Sequence, residues 1–229
     1  MQIDYCCGGD QSLAHACEKQ GLDAIAVTTR LNDAIAQPAD TTQPDWTKTS
    51  PTKLCDHIEA THHAFLRQEL PRLTQLVEKV ADVHGDNHAE LQQLRAVFAE
   101  LRAELEPHMM KEEQILFPAI QQLEQAASAP RFPFGTVANP IRMMEHEHDH
   151  AGDALKRIRE LTVNFTPPDD ACNTYRAMLD GLQNLEADLY QHIHKENNIL
   201  FPQPHTQCGQ ADVRSGENSL VSPAAGINK

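Results

Sequence analysis

One eleven-residue stretch occurs twice in this chain, from His108 to Pro118 (HMMKEEQILFP) and from His192 to Pro202 (HIHKENNILFP). In each copy a histidine is followed four residues later by a glutamate. On a helix a four-residue step puts both side chains on one face, within reach of a common ligand. His108 and Glu112 form one pair, and His192 and Glu196 form the other. An imidazole nitrogen beside a carboxylate oxygen is a donor set of intermediate hardness. Two such pairs facing one another inside a bundle could bridge two first-row metal ions, iron being the first guess.

The rest of the chain suits that reading. Alanine, leucine, glutamate and glutamine are frequent and only 5% of residues are aromatic, which favours helices over sheet, and 229 residues suffice for one main domain with a substantial core. A net charge of −14 with no offsetting basic patch argues against a nucleic-acid partner. No apolar run is long enough to cross a bilayer. Met1 to Gly9 has neither the basic start nor the hydrophobic stretch of a signal peptide, so a cytoplasmic location is expected. Cys6, Cys7, Cys17, Cys55, Cys172 and Cys208 are scattered apart from the adjacent first pair, a pattern suited to a reducing compartment rather than to a disulfide framework.

Taken in order, residues 1–36 read as a small helical module, with a turn at Tyr5 to Gly9, a capping Ser12 and a broken helical pattern to Ile35. Residues 37–51, with Pro38, Pro44 and Pro51, read as a linker. Residues 52–202 carry four seams of alternating three- and four-residue steps. The first is His63, Leu66, Leu70, Leu73, Val77, Val80 and His84. The second runs Leu91, Leu94, Phe98, Leu101, Leu105, His108, Glu112, Ile115 and Ala119. The third is Ile141, Met144, His148, Ala151, Leu155 and Ile158, and the fourth is Tyr175, Met178, Leu182, Leu185, Leu189, His192, Glu196 and Ile199. An all-α antiparallel four-helix bundle is the economical architecture. Residues 203–229 are poor in apolar periodicity and read as a flexible tail.

The histidines and glutamates occupy seam positions where leucine would ordinarily stand. A carboxylate there must be protonated, paired or bound to metal. The bland alternative is a set of satisfied core histidines with internal salt bridges, but six polar groups from four helices converge with no seam Lys or Arg to neutralise them. On the third helix His146 and His150 lie some 200° around from His148, at about 100° per residue, so only His148 continues the seam. His84 shares the seam of His63. It stands about 30 Å further along a continuous helix, at about 1.5 Å per residue, unless Pro71 breaks that helix sharply.

Asp4 to Gly9 (DYCCGG), the stretch from His108 to Pro118, Met144 to Asp149 (MEHEHD) and the stretch from His192 to Pro202 together resemble the iron-sulfur cluster repair family of di-iron proteins. The resemblance implies a haemerythrin-like four-helix bundle holding two non-haem iron ions as a carboxylate-bridged centre. It implies metal ligation by His63, His108, Glu112, His148, His192 and Glu196. Glu104 and Glu147 resemble carboxylates near the iron in that family, and ordinary surface acids are the alternative for each. Met1 stands only five residues ahead of Cys6, where the family has a helix, so the amino-terminal module is expected to be truncated.

The function implied is repair of iron-sulfur proteins damaged by nitric oxide or peroxide, with those damaged proteins as partners. Cys6 and Cys7 would be soft donors that receive or pass iron. Two other functions compete: reduction of nitric oxide at the two irons, and sequestration of nitric oxide or oxygen. Four histidines and two glutamates leave more open iron positions than a histidine-rich oxygen carrier, which leans away from oxygen storage alone. Neither a homodimer nor a monomer is selected by the residues.

Overall fold

The structure, a computed structural model, describes residues 11–19, 21–36, 44–128 and 130–203. Cys6, Cys7 and Cys208 lie outside them. Eight α-helices are described: α1 (Leu13–Lys19), α2 (Ala24–Ala36), α3 (Pro51–Ile58), α4 (Ala64–His84), α5 (Glu90–Lys111), α6 (Phe117–Gln125), α7 (Ala138–Leu161) and α8 (Asn173–Lys195). In the amino-terminal module Ser12 caps α1 by accepting the His15 N–H at 3.3 Å, and α1 packs on α2. Of the expected linker, residues 44–51 are described: a 3₁₀ turn spans Trp46–Lys48, and Ser50 caps α3, whose first residue is Pro51.

Three five-residue π-helical segments join these helices into longer rods. Glu59–His63 fuses α3 to α4, Glu112–Leu116 fuses α5 to α6, and Glu196–Leu200 extends α8. Among the described residues the helices from Pro51 onward therefore form four rods, over 51–84, 90–125, 138–161 and 173–200. Pro71 sits inside α4 without interrupting it. The last two π segments have a local cause in the Phe-Pro ending of the repeat. A proline cannot donate to the carbonyl four residues back and its ring crowds that carbonyl, and a wider turn relieves the clash. The Phe117 and Phe201 N–H groups instead reach Glu112 O and Glu196 O, the latter at 2.8 Å.

The rods run antiparallel. His62 meets Asp188 while His84 meets Cys172, and His108 meets Glu147 while Gln93 meets Arg157. Gly181 lets α8 approach α4 closely, since a Cβ there would stand 2.7 Å from Leu73 Cδ2. One apolar cluster fills the body of the bundle around Leu66, Leu73, Phe98, Leu101, Leu155 and Leu182. A second, around Leu54, Ile58, Phe117, Ile141 and Phe201, closes the end where the π segments lie.

Each π segment adds one residue to the turn and so displaces the seam beyond it. The positions expected to face the core, Ile115 and Ile199, are 46% exposed and half-buried, and their neighbours Leu116 and Leu200 are buried in their place. Every other position of the four seams is buried apart from His84, which is half-buried.

Candidate metal centre

Seven polar side chains lie between the two apolar clusters: His62, His63, His108, Glu112, His148, His192 and Glu196, all buried. The π segments account for their convergence. A wider turn rotates the residues that follow it, which allows both His62 and His63 to face inward and turns Glu112 and Glu196 to the bundle axis while Phe117 and Phe201 also remain inside.

Six of the seven form two groups able to hold a metal ion. His63, Glu112, His192 and Glu196 make one, and His108, Glu112, His148 and Glu196 make the other, each with its donor atoms within 4.8 Å of one another. The two carboxylates belong to both. Glu112 Oε2 lies 3.3 Å from His63 Nε2 and 3.4 Å from His108 Nε2, while Glu196 Oε1 is 2.9 Å from His192 Nε2 and its Oε2 is 3.1 Å from His148 Nε2. Each carboxylate thus faces one histidine from either group.

The outward nitrogens determine what the inward ones can do. His63 Nδ1–H donates to Glu113 Oε1 at 2.6 Å, and Arg67 holds that carboxylate from outside. His108 Nδ1–H donates to Glu147 Oε2 at 2.8 Å, and Lys111 anchors Glu147. His148 Nδ1–H donates to Asn197 Oδ1 at 2.7 Å. A neutral imidazole that donates from Nδ1 presents a lone pair at Nε2, which is the metal-binding tautomer. Phe117 stacks on the His63 ring and Phe201 on the His148 ring, which keeps water from those faces.

Two observations test whether a metal fits. His63 Nε2 and His192 Nε2 face each other at 3.2 Å, as do His148 Nε2 and His108 Nε2 at 3.1 Å. Two donors each about 2.1 Å from one ion and at right angles stand about 3 Å apart. Both oxygens of Glu112 and Oε2 of Glu196 are buried without a hydrogen-bond partner, because the nearby imidazoles are close but not aimed at them. Unpaired buried carboxylate oxygens are costly, and a cation would satisfy them. Without a cation the charge falls on protons. Burial works against a proton on His148, yet Glu196 and Glu112 raise its pKa to about 9, and contact with Glu112 similarly raises His63 against burial. Burial also opposes the Glu196 charge, and His192 and His148 overcome it and hold the carboxyl well below its ordinary range. The donor set fits a pair of first-row cations.

Other sequence candidates are placed less centrally. Glu147 hydrogen-bonds to His108 and lies well below the usual carboxylate range, to about 2, chiefly through that bond. Glu104 is exposed, and no hydrogen bond or ion pair among the described residues ties it to the six. His146 and His150 are exposed on the outer face of α7, ring to ring at 4.3 Å. His84 lies at the opposite end of the bundle, 3.3 Å from Cys172 Sγ and against Tyr175. Metal uptake should therefore be unchanged in His84→Ala and fall by about half in His63→Ala. Metal analysis of the two purified variants checks this, and equal losses would contradict the placement.

Sequence reading did not single out Glu113, Asn197 or His62. The repeat carried a signal for the first two, since each follows a glutamate of the doubled motif directly. His62 precedes His63 and was hidden because an unbroken α-helix would turn it about 100° away from the seam.

Comparison with known proteins agrees with this geometry. Residues 56–203 match the family described as the hemerythrin HHE cation binding domain, and residues 1–35 match the ScdA_N family, a domain of unknown function. The chain is 40% identical over 200 residues to a "Probable iron-sulfur cluster repair protein" of Haemophilus influenzae, covering 87% of this chain and 86% of that one. It is 42% identical over 202 residues to the "Iron-sulfur cluster repair protein YtfE" of Musicola paradisiaca, covering 88% and 86%. It is 41% identical over 201 residues to the protein of that name from Escherichia coli O157:H7, covering 87% and 86%.

Proposed function

The chain belongs to the family of haemerythrin-like iron-sulfur cluster repair proteins, and from that premise we propose that its buried polar layer holds two non-haem iron ions used in restoring damaged clusters. In this reading His63 and His192 would hold one iron, His108 and His148 the other, and Glu112 and Glu196, which belong to both groups, would serve both. The observation that carries it is the sharing of both carboxylates between two histidine pairs in a closed layer. Among the described residues neither carboxylate forms an ion pair with Lys or Arg.

Bound iron would supply open positions for a small ligand such as nitric oxide, together with one-electron redox chemistry. The chain's own residues do the rest. Glu113, Glu147 and Asn197 hold three imidazoles in the binding tautomer, and Phe117 and Phe201 shield two of them. Cys6 and Cys7 would pass iron to a client as soft donors. We propose a cytoplasmic location, in keeping with the free thiols Cys17, Cys55 and Cys172.

The test is an anaerobic assay of iron-loaded protein. One vessel contains a cluster enzyme inactivated by nitric oxide, and another contains nitric oxide with a reductant. Recovered enzyme activity without catalytic nitrous oxide is the expected result. Multiple turnovers to nitrous oxide with no recovery would replace repair by nitric oxide reduction.

A further inference from the structure

The repeated motif gives the centre an approximate two-fold relation, in which rod 51–84 corresponds to α7 and rod 90–125 to rod 173–200. His63 then matches His148, His108 matches His192, Glu112 matches Glu196, and Phe117 matches Phe201, each phenylalanine stacked on the equivalent histidine. The match extends outward, since Glu113 accepts from His63 Nδ1 as Asn197 accepts from His148 Nδ1.

The acceptor itself is missing at another position. The residue before His148 is Glu147, which accepts the His108 Nδ1–H and is anchored by Lys111. The residue before His63 is His62, and the lysine matching Lys111 is Lys195. Lys195 Nζ donates to His62 Nε2 at 2.7 Å, and His62 Nδ1–H donates to Asp188 Oδ1 at 2.8 Å, so both nitrogens of His62 are engaged away from the centre. The His62 ring lies parallel to that of His192, within 1° and with centroids 5.2 Å apart. His192 Nδ1 is buried and has no hydrogen-bond partner.

We propose that this exchange of a carboxylate for a stacked imidazole makes the two metal positions unequal, so that the ion held by His63 and His192 is the one given up first. The inference rests on the two-iron reading above. A carboxylate on Nδ1–H fixes the tautomer and strengthens Nε2 as a donor, and loss of such a partner typically costs about 10–100-fold in metal affinity. The His108 and His148 position has both imidazoles supported, and the His63 and His192 position has one. Charge acts in the same direction. Glu147 neutralises Lys111 directly, whereas among the described residues Lys195 forms no ion pair and meets the Asp188 carboxylate through His62, so its charge is less fully offset beside the ion it would oppose. A centre built this way can hand over one iron while the other still satisfies the buried carboxylates.

The full chain would be loaded anaerobically with ferrous iron, mixed with excess ferrozine, and followed by stopped-flow absorbance. Wild type should release its iron in two phases of equal amplitude, with rates separated by roughly tenfold or more. His62→Glu, which puts a carboxylate beside Lys195 and His192, should slow the fast phase and leave the slow one. Glu147→Ala should quicken the slow phase until the two merge. Circular dichroism would show that each variant is folded, and the Glu147→Ala arm decides the matter if His62→Glu is not. A single phase from wild type loaded with two irons, or a Glu147→Ala effect confined to the fast phase, would overturn the asymmetry alone. Loading to fewer than two irons per chain would overturn the two-iron reading and this proposal with it.

Discussion

Replacing Glu112 and Glu196 together with leucine is expected to take the iron content from two per chain to about none, with the bundle still folded. Both metal groups lose half their donors at once, because each contains both carboxylates. The remaining imidazole pairs offer two neutral donors apiece, too few to compete with water and buffer for ferrous iron. The fold survives because these carboxylates are a liability without a cation. Three of their four oxygens have no hydrogen bond, and once the carboxylates are gone the imidazoles shed their protons, so leucine fills the layer without leaving an unpaired buried charge. Thermal unfolding of the double variant should thus begin no lower than that of iron-stripped wild type. Iron retained near the wild-type level would remove Glu112 and Glu196 from the ligand set.

Iron removal from wild type should produce the largest change in stability. A ligand that binds only the folded chain, present about a thousandfold above its dissociation constant, adds about 4 kcal/mol. For a chain of this size about 2–4 °C of Tm accompanies each kcal/mol, so chelation should lower Tm by roughly 10 °C. Calorimetry of loaded and stripped protein measures it. The loss should centre on the end containing the polar layer, because Leu54, Phe117, Ile141 and Phe201 close over the site, whereas Phe98, Leu101 and Leu182 pack in the body of the bundle. Hydrogen exchange localised to the body instead would contradict that distribution.

Much of this was legible in the sequence because burial in a bundle follows a short period. The seams led to His63, His108, Glu112, His148, His192 and Glu196, and the structure brings these six together. The roughly 200° separation kept His146 and His150 outside, and the in-phase seam across Pro71 agreed with a continuous α4 that carries His84 to the far end. Periodicity misled where the period itself changes. The π segments exchange Ile115 for Leu116 and Ile199 for Leu200, and they bring His62 inward beside His63. Partners that lie across helices also escaped the sequence. Glu113 and Asn197 act through neighbours some 50 residues away, and nothing local distinguishes the bound Glu147 from the exposed Glu104.

Six side chains from four rods are proposed to make one binuclear centre with shared carboxylates. An anaerobic titration of iron-stripped protein with ferrous ion, followed by metal analysis after gel filtration, tests it most directly. Wild type should saturate at two irons per chain, and the Glu112→Leu, Glu196→Leu double variant should retain negligible iron. Saturation at one iron in wild type, or at two in the double variant, would contradict it.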